Sequence, residues 1–356
     1  MNRKVFLFGA LGSTLTSGCG GSNSSSRPTS ALQTLSYTPL AFPQNFIARD
    51  LNNSDTVVGG EYRPHDDPDS SRQSIPVPAL WKQGTVTYPK LLPGTNAGTI
   101  LCINNRGQLF GTSDYIDMNP YDVIYDTLHY CFWESESAEP VVCATLSPTY
   151  IRGFFYSSDK AQLNDAGVIF SNLGPPWSIF SSVTLQALSV DEGLGSIHGW
   201  VGPANLLAER VNPDSQTSFA AEFLLDGSIR YLDRPIAREH RHIYATHQEG
   251  WIVASRQGDV GLELRDPTGH WVPLPYASQD NHIGYPYASI HRVNRLGEVL
   301  LSLNIGDNER AYHLWSQSKG DRLIATGDFS LFSYGIFGIN DRNVILGAKG
   351  LNIPQF

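Results

Sequence analysis

At 356 residues the chain is longer than one hydrophobic core usually serves, so two domains or a repeat architecture are expected. Apolar residues make up 41% and charged ones 17%, which excludes a disordered chain, while 33 Gly and 22 Pro call for many turns. The formal net charge is −9 and no Lys/Arg-rich run occurs, so a phosphate backbone would be repelled and nucleic acid is not expected as a partner.

The chain opens with Asn2-Arg3-Lys4, an apolar stretch over 5–15, and then Thr16-Ser17-Gly18-Cys19. A positive start, a short apolar run and small residues before a cut are the marks of an export signal, so residues 1–18 are read as a signal peptide. The apolar stretch is about half of the roughly 20 residues that span a bilayer, which argues against a transmembrane helix. Loss of Arg3 and Lys4 with the signal leaves 23 basic against 34 acidic side chains, a balance of −11. The run ending in Gly18-Cys19 resembles a bacterial lipoprotein lipobox, although Thr16 stands where Leu is usual and Leu15 lies one position further out. That resemblance implies a diacylated Cys19 as the mature N-terminus. The Gly/Ser-rich residues beyond it make 19–30 an anchored, flexible tether. No Asp follows Cys19, so the resemblance favours the outer membrane.

Over 31–356 one pattern recurs: an apolar residue, Asn, two or three polar residues, usually Gly, and a short apolar strand. It is clearest at Asn52, Asn104, Asn164, Asn294 and Asn340, with degenerate copies at Val190-Asp191-Glu192-Gly193 and Thr246-His247-Gln248-Glu249-Gly250. An Asn or Asp side chain bonds the backbone of a tight turn, Gly supplies positive φ, and the β-branched run is the returning strand. Between copies lies a second hairpin signature, as in Ala79-Leu80-Trp81-Lys82-Gln83-Gly84, Cys131-Phe132-Trp133 and Tyr312-His313-Leu314-Trp315. Seven turns from 52 to 340 cover 288 residues in six intervals, or 48 per repeat with about four strands each. The chain is therefore expected to be all-β, a β-propeller of about seven (or six) four-stranded blades. Only sixteen residues follow Asn340, too few for a blade, so a strand within 32–40 is expected to close the ring; an open β-solenoid is the alternative.

These paired motifs resemble the HAF-type extracellular repeat family, most clearly over 78–112 and more loosely over 46–350, blurring at 170–260. The resemblance implies a secreted repeat architecture without a shared activity.

Candidate chemistry is sparse. The turn asparagines are accounted for by turn geometry, and Trp81, Trp133 and Trp315 by packing between repeats, although indoles can also stack on sugars. Cys131 and Cys143 are symmetric about Ser137, and a hairpin turning there would bring them within disulfide reach in an oxidising compartment, leaving Cys102 over. No Cys-x-x-Cys spacing suggests zinc. No cofactor is expected, although Asp114, Asp117, Asn119 and Asp122 read as an oxygen-rich loop of the kind that suits calcium. Glu239, His240, His242 and His247 make a weaker transition-metal patch, and His65-Asp66-Asp67-Pro68-Asp69 an acidic insertion. No nucleophile elbow, triad order or phosphate loop stands out, so no catalytic residue is assigned. The expected function is a monomeric, envelope-attached binding or scaffolding module for a protein or glycan, touching the membrane through its lipid anchor only. Alternatives are a polysaccharide hydrolase or lyase with its site on the propeller axis, and a purely structural or adhesive role.

Overall fold

The computed structural model describes residues 33–354 apart from 36, 65–73, 120–121, 147–160, 172–177, 182–193, 212–217, 225–227, 233–241, 256–259, 278–286, 306–308, 329–335 and 348–349. The described regular structure is entirely β-strand, gathered into separate sheets that follow one another along the chain. Sheet 1 holds Phe46–Leu51, Val57–Pro64, Ser74–Lys82 and Thr85–Thr87; sheet 2 holds Ala97–Ile103, Leu109–Asn119, Asp122–Trp133 and Val141–Leu146. Sheet 3 holds Gln162–Leu163, Val168–Ser171 and Ser178–Ser181; sheet 4 holds Leu194–Trp200, Asn205–Val211, Ser218–Leu224 and Ile229–Tyr231. Sheet 5 runs from Ile243–Thr246 through Ile252–Ser255 and Gly261–Arg265 to Trp271–Ala277. Sheet 6 contains Ala288–Val293, Val299–Asn304, Glu309–Ser316 and Gly320–Asp328, with Gln33–Thr34 added in parallel at its outer edge. Sheet 7 contains Ile336–Ile339, Ile345–Gly347 and Gly350–Pro354, and Tyr37–Ala41 pairs antiparallel with the last of these.

First strands of neighbouring sheets touch: sheet 1 meets 2, 2 meets 3, 4 meets 5, 5 meets 6, 6 meets 7, and 7 returns to 1. This is a β-propeller arrangement, with five of the sheets four-stranded. Its core is divided among the seams. Val58, Leu80, Ile100, Leu109 and Trp133 fill the space between sheets 1 and 2, and Phe46, Val57, Trp81 and Leu346 that between 7 and 1. The doublet after each turn explains itself here. Successive strand residues face opposite sides, so Val57 enters one seam and Val58 the next. Ile252 and Val253, Leu300 and Leu301, and Ile345 and Leu346 divide in the same way. The three tryptophans are buried in these seams, at 2%, 0% and 7% exposure for Trp81, Trp133 and Trp315, which leaves no indole face for a sugar.

The repeated turn has one geometry. In sheet 2 the Asn104 amide hydrogen-bonds Gln108 O, Gly107 N bonds Asn104 O, and Asn104 Oδ1 accepts from Arg106 N and Gln108 N. The residue three after the opener has positive φ in each Asn- or His-opened turn: Gly107, Gly167, Gly250 and Gly297, but also Asp55 at 56° and Asn343 at 61°. Sheet 4 departs from the sequence reading. Its inner turn is opened by Val201, whose N–H bonds Asn205 O, and not by Val190–Gly193, which lies outside the described residues. Pro203 and Gly202 shape this turn without an Asx side chain.

Candidate functional site

A bulge recurs at one place in the first strand of six sheets. The extra residues are Arg49, Leu101, His198, Tyr244, His291 and Phe337, each three before its turn opener. A bulge bends its strand and re-aims the side chains beyond it. The strand ends past these bulges converge on the axis, where they line a chamber of about 140 Å³ to which all seven sheets contribute.

The turns form its rim, and two relays of hydrogen bonds hold them together. In the first, each asparagine donates its side-chain amide to a carbonyl of the next turn: Asn52 to Asn104 O (3.2 Å), Asn104 to Asn164 O (2.9 Å), Asn164 to Pro203 O (3.0 Å), Asn294 to Asn340 O (3.4 Å) and Asn340 to Asn52 O (3.1 Å). In the second, the backbone N–H after the opener donates to the side chain at the equivalent position of the next turn. Asn53 N reaches Asn105 Oδ1, Asn105 N reaches Asp165 Oδ1, Arg295 N reaches Asp341 Oδ1, and Asp341 N reaches Asn53 Oδ1. Asp165 N passes over sheet 4 to Gln248 Oε1 at 2.8 Å. The sequence reading assigned the asparagines to their own turns and missed both relays. A legible trace existed: the residue after the opener is Asn53, Asn105, Asp165, Gln248 or Asp341 in five copies, a second amide-or-carboxylate column.

The relays also settle which rim carboxylates are occupied. Asp165 accepts from Asn105 N, Asn105 Nδ2 and Gln248 Nε2; Asp341 accepts from Arg295 N and Asn53 Nδ2. His247 replaces asparagine in sheet 5 and copies it: its Nδ1 accepts from Glu249 N at 3.2 Å, which places the proton on Nε2, 3.9 Å from Asp341 Oδ1. Desolvation holds the imidazole below its ordinary pKa against the pull of Asp341.

The two-before-opener positions differ from sheet to sheet: Asp50, Cys102, Gln162, Gly199, Ala245, Arg292 and Gly338, of which Asp50, Gln162, Arg292 and Gly338 line the chamber. Asp50 Oδ2 accepts from Ile103 N at 3.1 Å, and its Oδ1 stands 4.0 Å from the Arg292 guanidinium. Burial lifts the Asp50 carboxyl above the usual carboxylate range in spite of Arg292. Gln162 Oε1 accepts from Trp200 N, and the Thr246 hydroxyl is buried without a partner. Burial, and then the charge of Asp50, pushes the Cys102 thiol up and keeps it protonated.

The residues singled out from sequence lie elsewhere. Asp114, Asp117, Asn119 and Asp122 are on the paired strands Leu109–Asn119 and Asp122–Trp133, not in a loop. Asp114 is 2% exposed, accepts from His129 N, and has its carboxyl pushed by burial to about 7. Asp117 is paired with Ile124 and Asn119 with Asp122 at the hairpin end; their side chains lie outside the described residues. In an extended strand Asp114 and Asn119 are roughly 16 Å apart, too far to share one cation. Cys131 and Cys143 are on adjacent strands as free thiols, but Val142 stands opposite Cys131 and Cys143 is the bulged residue. Cys131 packs in the seam towards sheet 1 and Cys143 against the cluster towards sheet 3. His242 lies edge-on to Tyr244, away from the turn that holds His247; residues 239–241 and 65–69 lie outside the described set. Among the described residues, no group of three or more His, Cys, Asp or Glu could hold a metal ion.

No protein-family model matches the chain, and no curated protein sequence matches it. Among solved structures, the β-propeller domain of the trilobed protease from Pyrococcus furiosus, described as having an open velcro topology, superposes with a TM-score of 0.52 at 8% identity. That match covers 87% of this chain and 93% of that one. A streptogramin B lyase superposes at 0.47 (11% identity; 89% and 96% covered) and TolB from Acinetobacter baumannii at 0.40 (10%; 90% and 97%). At these identities the likeness is one of fold: the chain is similar to β-propellers.

Proposed function

We propose that this chain is an exported, lipid-anchored binding module of the cell envelope that uses its axial chamber as the binding site. In this reading each sheet is a blade, seven in all, and Tyr37–Ala41 closes the ring by completing the last. Cys19 carries the lipid and the tether beyond it gives the propeller reach. The partner is a protein or glycan that offers a small polar group to the axis.

The observation that carries the reading is the contrast between rim and chamber. Rim carboxylates are filled by relay hydrogen bonds, whereas the Thr246 hydroxyl is buried without a partner in a chamber that Asp50, Gln162 and Arg292 also line and to which every sheet contributes. Binding fits this set better than glycoside hydrolysis, which as a rule needs two carboxyls flanking one bond. Among the described residues, Asp50 is the chamber carboxyl outside the relays.

Gly338 supplies a test. A Cβ there would meet only Leu346 Cβ, at 3.9 Å, so a side chain added at this chamber-lining position, as in Gly338→Val, starts without a backbone clash. In a thermal-shift panel of glycans and small polar molecules, at least one ligand is expected to raise the Tm of the wild type and not that of Gly338→Val. A shift of equal size in the variant would move the site off the axis and overturn the reading.

A further inference from the structure

The two relays leave one junction of the rim untied. The first runs from Asn294 through Asn340, Asn52, Asn104 and Asn164 to Pro203. The second runs from Arg295 through Asp341, Asn53, Asn105 and Asp165 to Gln248. Both begin at sheet 6; one ends at sheet 4 and the other at sheet 5. Among the described residues, no relay bond passes from the turn of sheet 5 to that of sheet 6. There the Trp251 indole donates to Arg295 O instead, at 2.8 Å.

The turn opener at this junction is His247. An asparagine side chain offers an acceptor and donors at once, whereas each imidazole nitrogen is one or the other according to its protonation. In the neutral ring Nδ1 accepts from Glu249 N at 3.2 Å, a bond within its own turn. Nε2 lies 3.9 Å from Asp341 Oδ1, too far for a hydrogen bond. Both side chains are largely enclosed, 19% and 8% exposed. A further proton can enter only at Nδ1, where it faces the Glu249 N–H, so the bond within the turn is lost.

The imidazolium then has carboxylates on three sides. Asp341 of sheet 7 attracts it most, followed by Glu249 of its own turn and Asp165 of sheet 3, while Arg292 of sheet 6 opposes it. Arg292 is offset by Asp50 of sheet 1 at 4.0 Å, and the Arg295 guanidinium of sheet 6 sits 3.5 Å from Asp341 Oδ2, not Oδ1. The turn of sheet 4, Val201–Asn205, carries no titratable side chain.

We propose that His247 is a pH-operated latch on the mouth of the chamber. Neutral, it serves its own turn and leaves the rim untied between sheets 5 and 6; protonated, it closes on Asp341 and ties sheet 5 to sheet 7 across the gap. The latch belongs to the mouth whatever the chamber holds, so it goes beyond the axial reading and does not need it. Desolvation disfavours the charged ring, so the latch engages on the acid side of the ordinary histidine range.

The test follows His247 by its imidazole NMR signals, assigned by their loss in His247→Asn, and the mouth by amide hydrogen exchange corrected for its intrinsic pH dependence. Between about pH 7.5 and 4.5 the His247 signals should titrate. Through the same inflection, protection at Glu249 N should fall about tenfold, the worth of one lost hydrogen bond. Protection at Arg295 N, whose acceptor is Asp341, should rise. His247→Asn, which writes the common opener into sheet 5, should keep Glu249 N protected throughout. Asp341→Asn keeps an acceptor for Arg295 N but removes the charge, so His247 should titrate about one pH unit lower or more.

A His247 ring that stays neutral to about pH 4.5, or that titrates with no change in exchange at Glu249 N and Arg295 N, would overturn the latch in the wild type alone. So would an unaltered His247 titration in Asp341→Asn. None of these outcomes touches the axial reading, which the Gly338→Val comparison decides by itself.

Discussion

Each turn-opening asparagine has two duties, and they can be separated. Asn104 Oδ1 accepts two backbone N–H groups of its own turn, while Nδ2 donates to Gln108 Oε1 and to Asn164 O of the next sheet. The first duty is local and was legible in the sequence, because Asn followed by a polar pair and Gly specifies a turn by itself. The second depends on a residue 60 positions away, and nothing in a single copy of the motif announces it. Asn104→Ala should cost about 3 kcal/mol or more, since it strands buried amides as well as deleting bonds. Asn104→Asp keeps the acceptor but turns a carboxylate oxygen towards two acceptors. Its carboxyl pKa is then raised in the folded state, so stability should fall as pH climbs through the carboxylate range and recover in acid, where the protonated group donates again. Urea denaturation at about pH 4.5 and pH 7.5 separates the two: the alanine variant should lack the pH-dependent part. An aspartate variant with the same loss at both values would show that the donation to Asn164 O contributes nothing.

At the scale of the strand, the decisive element is the bulge. It could not be read in advance, because it is a property of register: Ala48 pairs with Gly59 and Asp50 with Val58, leaving Arg49 over. Its consequence was nevertheless written in the motif. The Gly that ends Val57-Val58-Gly59 and the one in Phe110-Gly111 lie opposite bulges, where a Cβ would fall 1.9 Å from Ile47 O and 2.2 Å from Thr99 O. What looked like a strand terminator is a site of close backbone approach. The turn glycines differ among themselves in a way that predicts energies. Gly107, at φ 81°, has open space around its absent Cβ; Gly297, at φ 70°, has the Trp251 ring at 2.6 Å. That indole is fixed by its own bond to Arg295 O at 2.8 Å. Gly107→Ala should cost about 1–2 kcal/mol for backbone strain alone. Gly297→Ala should exceed it by a further 1–2 kcal/mol or so for the clash, with loss of Trp251 packing. Denaturant midpoints compare them directly; equal costs would mean that the indole swings aside freely.

For the whole molecule, the 48-residue spacing led to a ring of sheets because each doublet needs two apolar neighbours, a demand only stacking can meet. The span from 170 to 260 was the least legible, since sheet 4 opens its turn with Val201 and sheet 5 with His247. The chamber was illegible altogether: Asp50, Gln162 and Arg292 come from strands more than a hundred residues apart and belong to no local motif. Attachment to the envelope is also a question of the whole molecule. On the proposed lipid anchor, Cys19→Ser is expected to move the chain from the membrane fraction to the soluble one and to abolish labelling by an alkynyl fatty acid; retention in the membrane fraction would count against the anchor. The rim relay has one more consequence. It behaves as a hoop around staves, and the bond from Asp165 N to Gln248 passes over the stave that is sheet 4. In the second relay that stave carries no load; it is tied in through the first, where Pro203 O accepts from Asn164 Nδ2. Val201–Asn205 thus takes a relay bond without an opener amide of its own, and the mouth of the barrel is notched on that side.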